Sequence, residues 1–382
     1  MSEDSLPLKP ALNRFNSTIT LVVLGAAWVS GFGTYSRANE EPGQSVEEAQ
    51  ALPIKVMART SGTPLRIGEK ITATLNAGSV FRVERREGEW LWIDSGGIQG
   101  WVKSAGVVGI DAAVAVFNKA IEQNPEAVEG YLGRGLAREA HGEHDAALAD
   151  FSKTIELDPK NHWAYHDRAA VYHAKQDYAH ALSDSDEAIR LDAAEAAHWA
   201  NRASVQFALK EYDKAIADYN EAVARLKGDE ATFDAEGTPG RTQGRRLAVK
   251  WTCGRAECRV AKNAAEKAAG DYAEALRIDP GDPITMNSFA WLLATTENSH
   301  VRDGMKAFEL AAQACDLTGF KNHLCLDTLA ASYACAGDFA AAVKWQVAAI
   351  ALVGSDERLA AGYRQRLALF MKNKPFLDVA GP

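Results

Sequence analysis

The run VEGYLGRGLAREAHGEHDAALADFSKTIELDPKN (128–161) is followed without a slip by HWAYHDRAAVYHAKQDYAHALSDSDEAIRLDAAE (162–195) and AAHWANRASVQFALKEYDKAIADYNEAVARLKGD (196–229), three stretches of 34 residues each. In that register Tyr131, Tyr165 and Trp199 coincide, as do Gly135, Ala169 and Ala203, then Ala147, Ala181 and Ala215, then Ile155, Ile189 and Val223. Small residues recur where large ones would clash. A period of this length, with two apolar helical patterns per unit and a turn between them, specifies stacked helical hairpins rather than a closed enzyme core.

With large aromatic, small, small, aromatic and Pro slots filled in order up to Pro159, the chain resembles tetratricopeptide repeat proteins. The resemblance implies a mainly α fold, a helical-hairpin solenoid, and a non-catalytic role in binding other polypeptides. It also implies that the first helix of each unit lines a groove. The groove positions hold Leu132, Leu136, His166, Ala170, Ala200 and Ser204, with His173 and Phe207 nearby. Family members that grip a C-terminal carboxylate carry Lys and Asn there, so chaperone-tail binding is disfavoured, and an apolar groove bearing imidazoles is expected.

Working outward, Ala113, Phe117 and Pro125 stand 34 residues before Ala147, Phe151 and Pro159, which defines a half unit at 110–127. After the units at 128–161, 162–195 and 196–229, the tract 228–246, with Gly237, Pro239, Gly240 and Gly244, reads as an inserted loop. Removing it restores the register for units at 249–282, 283–322 and 323–355, and Leu359, Tyr363, Leu367 and Phe370 mark a capping helix at 356–371.

Residues 54–108 change to an alternating period. Val80, Arg82 and Glu84 alternate with Phe81, Val83 and Arg85, and Gly turns lead into Trp90-Leu-Trp-Ile93 and Gly100-Trp101-Val102. Short strands joined by Gly turns point to a small barrel. On the Gly-x-Trp-Leu-x-Ile and Gly-Trp-Val pieces the segment resembles bacterial Src-homology-3-like (SH3-like) domains, an all-β barrel at the N-terminal end of the solenoid. Strand alternation is expected to turn one of Trp90 and Trp92 inward, leaving the other to line a peptide or glycan groove and make a cell-wall contact.

The uncharged stretch from Asn16 to Ser36 follows Lys9 and Arg14. Two readings of 1–38 stand: a signal peptide cut at Ser36-Arg37-Ala38, or an uncleaved membrane anchor, since about 20 apolar residues span a bilayer. Either places the body outside the cytoplasm, in a bacterial periplasm or envelope. Residues 39–53 read as an acidic linker.

Composition bounds the remaining chemistry. Apolar content of 47% and charged content of 24% are ordinary globular values, and the net charge of −9 argues against nucleic acid as a partner. Five Cys form no disulfide framework, and Cys253 and Cys258 lack zinc spacing. Seven of nine His fall between His141 and His198, yet the Glu of hydrolytic zinc helices is missing from His162-Trp-Ala-Tyr-His166. No phosphate loop or nucleophile elbow occurs, so no cofactor, metal or catalytic residue is assigned. The alternative is an envelope enzyme or accessory subunit that holds cell-wall material through the barrel or the His cluster.

One further pattern is internal to the repeats. Arg134 and Asp150, Arg168 and Asp184, Arg202 and Asp218, and Arg255 and Asp271 are each 16 residues apart, while the fifth and sixth units carry Phe289 with Leu310 and Leu329 with Trp345. Joint exchange of both members for apolar residues implies touching side chains, with Arg168 bonded to Asp184 or to Asp150 of the preceding unit.

Overall fold

The computed structural model describes residues 55–75, 78–95, 98–227, 241–354 and 356–378. The chain packs as two units divided between Asp279 and Pro280. The apolar stretch and linker read at 1–53 lie outside the described residues. Among the described residues no helix is long and apolar enough to cross a membrane.

The first unit begins with seven short strands: β1 (Lys55–Ala58), β2 (Thr63–Ile67), β3 (Lys70–Leu75), β4 (Val80–Glu87), β5 (Trp90–Ser95), β6 (Ile98–Lys103) and β7 (Val107–Gly109). They pair antiparallel in the order β3-β2-β6-β5-β4-β1-β7. The sheet is not closed, which corrects the expectation of a barrel. Leu65, Phe81, Val83, Leu91, Ile93 and Val102 form its core. Because side chains alternate with a period of two, burial of Leu91 and Ile93 sends Trp90 and Trp92 to the opposite face together. The expectation that one of the two tryptophans turns inward is therefore wrong.

Strand β7 runs directly into α1 (Ile110–Gln123), and hairpins follow: α2 (Val128–Ala140) with α3 (His144–Leu157), α4 (His162–Ala174) with α5 (Tyr178–Leu191), α6 (Ala196–Ala208) with α7 (Tyr212–Lys227), and α8 (Arg241–Ala261) with α9 (Ala265–Ile278). Helix α8 starts at Arg241, inside the stretch read as loop through 246, and Gly244 lies within it. Residues 228–240 of that stretch lie outside the described residues. The other unit holds α10 (Pro283–Thr295), α11 (Gly304–Leu317), α12 (His323–Ala336), α13 (Phe339–Val353) and α14 (Glu357–Phe370).

The sheet, α1 and α2 share one core, in which Met57 and Val108 of the strands pack with Ala113 and Phe117 of α1 and Ala137 of α2. The small slots of the repeat exist for ring access. A Cβ on Gly133 would stand 2.4 Å from the Phe117 ring, and one on Gly135 would stand 2.6 Å from the Phe151 ring.

Each repeat Arg reaches in two directions. Arg168 Nε donates to Asp184 Oδ2 at 2.7 Å and Nη2 to Oδ1 at 2.8 Å, closing its own hairpin, while Nη1 donates to Ser152 Oγ of the preceding hairpin at 3.0 Å. Arg134 does the same with Asp150 and Asn118, Arg202 with Asp218 and Asp186, and Arg255 with Asp271 and Asn220. The backward acceptors Asn118, Ser152, Asp186 and Asn220 also recur every 34 residues. The ring three residues earlier lies beneath the guanidinium, at 5.5 Å for Tyr131, 5.7 Å for Tyr165 and 5.1 Å for Trp199. Asp184 is the partner of Arg168, which settles the choice the sequence left open.

Removing one member of such a half-buried pair strands a charge, whereas replacing both by apolar groups is tolerated. Arg168→Leu is expected to lower unfolding free energy by about 3 kcal/mol, and Arg168→Leu with Asp184→Leu to recover most of it, as read by urea denaturation. Equal losses in the single and double variants would contradict this.

The turns inside the hairpins need left-handed backbone. Gly142, Gln176, Lys210 and Asn263 have φ of 76°, 62°, 62° and 59°. A side chain there costs about 1 kcal/mol, partly offset by the greater chain entropy of Gly when unfolded. Lys210→Gly is expected to raise stability by about 0.5 kcal/mol in the same measurement.

Candidate functional site

Helices α2, α4 and α6, the first of their hairpins, stand next to one another, α2 beside α4 and α4 beside α6. The residues expected to line their groove divide into three groups. Leu132 and Leu136 are half-buried against Ala147, Phe151 and Val171, and Leu136 also meets the turn of Gly78 from the sheet. His173, Ser204 and Phe207 are engaged with their own second helices. The His173 ring lies 5.8 Å from Tyr178 and Phe207 lies 5.7 Å from Tyr212, while Ser204 Oγ donates to the Ala200 carbonyl at 3.0 Å and stands 3.3 Å from Tyr219 Oη. Ala170 is half-buried on α4.

His166 belongs to a different constellation. His162 Nδ1 and His198 Nε2 are 2.9 Å apart, and His198 Nδ1 and His166 Nδ1 are 3.0 Å apart. The Trp163 ring stands 5.1 Å from His166 and 5.2 Å from His198. The spacing of four between His162 and His166 brings both to the fully buried His198 of the next hairpin, while His173 is not part of the group. Each close pair needs one N–H and one lone pair, so neutral rings satisfy the chain. Burial, with the neighbouring imidazoles, pushes His166 down to about 3 and His198 to about 4. Among the described residues no group of three or more His, Cys, Asp or Glu side chains has metal-holding geometry.

Unfolded, these imidazoles take up protons near pH 6.5; folded, they resist until about 4 and 3. The unfolded chain therefore binds more protons in that window, and the stabilising effect is complete above 6.5 and lost as pH falls. In His198→Gln the drop in unfolding free energy from pH 7.5 to pH 4.5 is expected to shrink by on the order of 2 kcal/mol, as measured by urea titration at each pH.

Two inner-helix carboxylates escaped the sequence reading. Glu139 on α2 and Asp167 on α4 are half-buried, and among the described residues neither makes a side-chain hydrogen bond or ion pair. Burial lifts Glu139 to about 7, and burial together with the Glu139 charge lifts Asp167 well above the usual carboxylate range. The signal was available for Glu139, which stands 34 residues before His173 and 68 before Phe207. Asp167 is held by its place beside His166, whose carbonyl accepts from Asn201 Nδ2 at 3.0 Å.

On the sheet, Trp92 packs edge-on to Trp101 at 5.4 Å, with Arg85 5.5 Å from both rings. Trp90, with Lys103 5.5 Å from its ring, lines a pocket that also takes in Thr63, Pro64 and Arg66. The buried Arg66 Nε has no hydrogen-bond partner among the described residues.

Paired helices stacked in sequence define a repeat solenoid, and comparison with known proteins specifies the kind. Tetratricopeptide repeat models match residues 109–162, 151–183 and 198–225. No curated protein matches the chain. The crystal structure of PilW, described as a widely conserved type IV pilus biogenesis factor, superposes at a TM-score of 0.50 and 14% identity, covering 62% of this chain and 97% of that one. PilF of Pseudomonas aeruginosa gives 0.49 at 17% identity over 63% and 97%. YrrB, described as a tetratricopeptide repeat protein with an unusual peptide-binding site, gives 0.41 at 22% over 56% and 97%. The helical part of this chain has the tetratricopeptide-type solenoid fold.

Proposed function

We propose that this chain is a non-catalytic scaffold that binds a polypeptide segment along the inner faces of α2, α4 and α6, outside the cytoplasm. The observation that carries the reading is the pair Glu139 and Asp167, two half-buried carboxylates on neighbouring inner helices with no cation beside them among the described residues. Leaving such groups desolvated costs stability in the free protein and is offset when a ligand supplies the missing charge. The ligand is accordingly a segment with a Lys or Arg side chain, and Trp163 offers its flanking residues an aromatic wall. The placement outside the cytoplasm rests on the apolar run after Lys9 and Arg14.

A second reading concerns the sheet, which we take as SH3-like from its Trp-containing strands. The pocket shared by Arg66, Lys103 and Trp90 suits an anionic group on an apolar ring, as in carboxylated cell-wall glycan or peptide.

Protonated Glu139 repels no anion and attracts no cation, so affinity for a basic peptide is expected to rise as pH passes upward through about 7. Peptides selected from a Lys- and Arg-scanning array are expected to bind several-fold more tightly at pH 8 than at pH 6. Glu139→Gln with Asp167→Asn is expected to weaken binding at pH 8 by about tenfold or more, as measured by calorimetry. Retention of the same peptides at unchanged affinity by the double variant would refute the inner-face reading.

A further inference from the structure

In the unit that starts at Pro280, the chain does not stop at its last helix. Beyond α14 the segment Met371–Asp378 turns back, with Lys374 N–H donating to the Leu369 carbonyl at 3.0 Å, and reaches α10. There the backbone N–H of Asp378 donates to the Thr295 carbonyl at 2.8 Å, the Trp291 indole N–H donates to Asp378 Oδ2 at 3.0 Å, and the Phe376 ring sits 5.8 Å from the Trp291 ring. Between these points the strap is loosely held, since Lys374, Pro375 and Leu377 are exposed and Phe376 alone is half-buried. Residues 376 and 378 project to the same side of an extended chain, so one aromatic ring, one acid and one backbone bond hold the strap to α10.

The surface beneath is built independently of the strap. Arg366 of α14 places its guanidinium 5.3 Å from the Trp291 ring, 4.8 Å from Tyr363 and 5.4 Å from Phe376. That guanidinium is fixed by two 2.8 Å bonds to the buried carboxylate of Asp327 on α12, which also accepts from Gln346 Nε2 at 2.6 Å. The ion pair is complete without Phe376 or Asp378. Lifting the strap would offer an incoming chain a cation-and-indole shelf for a ring, an indole N–H for a carboxylate and a backbone carbonyl for an N–H.

We propose that this shelf is a binding site for an extended segment of a partner protein carrying an aromatic residue followed two positions later by Asp or Glu, and that Phe376-Leu377-Asp378 occupies it as a displaceable internal stand-in. The inference uses none of the residues on α2, α4 or α6 and stands or falls separately from the binding proposed there. The strap is tethered by a few residues, so it competes at an effective concentration on the order of 1 mM. With a dissociation constant of roughly 100 µM for the strap's own segment, a competing peptide binds about tenfold more weakly than to the strap-free shelf.

The test uses the full chain carrying Phe376→Ala and Asp378→Ala, and a fluorescein-labelled peptide with the sequence of residues 372–380 as probe, read by fluorescence polarisation. The strap-released chain is expected to bind the probe about tenfold or more tightly than the unaltered chain. A probe with Ala in place of its Phe and Asp should bind neither. In the released background Trp291→Phe, which keeps a ring and removes the N–H, is expected to reduce affinity for the probe to that for a probe lacking its Asp. Glu139→Gln with Asp167→Asn should leave all of this unchanged. Equal affinity of released and unaltered chains would overturn the proposal. Loss of helical circular dichroism on release would also overturn it, because the strap would then be a structural part of the unit. So would concentration-dependent dimers of the unaltered chain that disappear on release, since the occupant would then be a second copy's strap.

Discussion

The two-way grip of the repeat arginines is the constraint on which the helical stack of the first unit depends. A lone helical hairpin cannot cover its own apolar face, and small residues at Gly133 and Gly135 only allow rings to approach. The guanidinium adds direction. Two of its nitrogens hold the Asp of the same hairpin and the third reaches the preceding one, so the angle within a hairpin and the offset between hairpins are set by one planar group. Arg suits this task where Lys would not, because its five N–H groups form a rigid fork. The aromatic residue three positions earlier supports the same fork from below.

That grip joins the first helices to their second helices and to the preceding element, and the side chains expected to line the groove are engaged in some places and not in others. Leu136 is drawn into the joint with the sheet, Ser204 and Phe207 into their own hairpins, and His166 into a chain of imidazoles closed by His198. Among the described residues Glu139 and Asp167 remain without such partners, and burial makes both reluctant to ionise. Most apolar residues and rings on these helices serve packing, and the recognition we propose for the inner face rests on two acids. In the unit after Asp279 the corresponding burial is arranged around Asp327, where one carboxylate is matched by Arg366 and Gln346 and the chain's own strap packs on the half-buried ring of Trp291.

Much of this was written in the order of residues. The repeat period fixed which positions are small, which are aromatic and where hairpins turn, because every unit meets the same neighbours and must solve the same packing problem. The Arg and Asp spacing was legible for the same reason, down to the joint apolar exchange in the later units. Tertiary structure alone decided whatever depends on an element outside the period. Closure of the sheet was one such matter, since strand pairing at its two ends is a long-range outcome that local alternation does not specify. The helical start of α8 at Arg241 was another, because Gly244 reads as a breaker until packing overrides propensity. The convergence of His162, His166 and His198, the isolation of Glu139 and Asp167, and the return of Phe376 to Trp291 each join residues from separate helices or beyond the last one. Sequence spacing carries no record of such distances, whereas the fold sets them through the stacking of helices whose order, but not whose side-chain company, the repeat dictates.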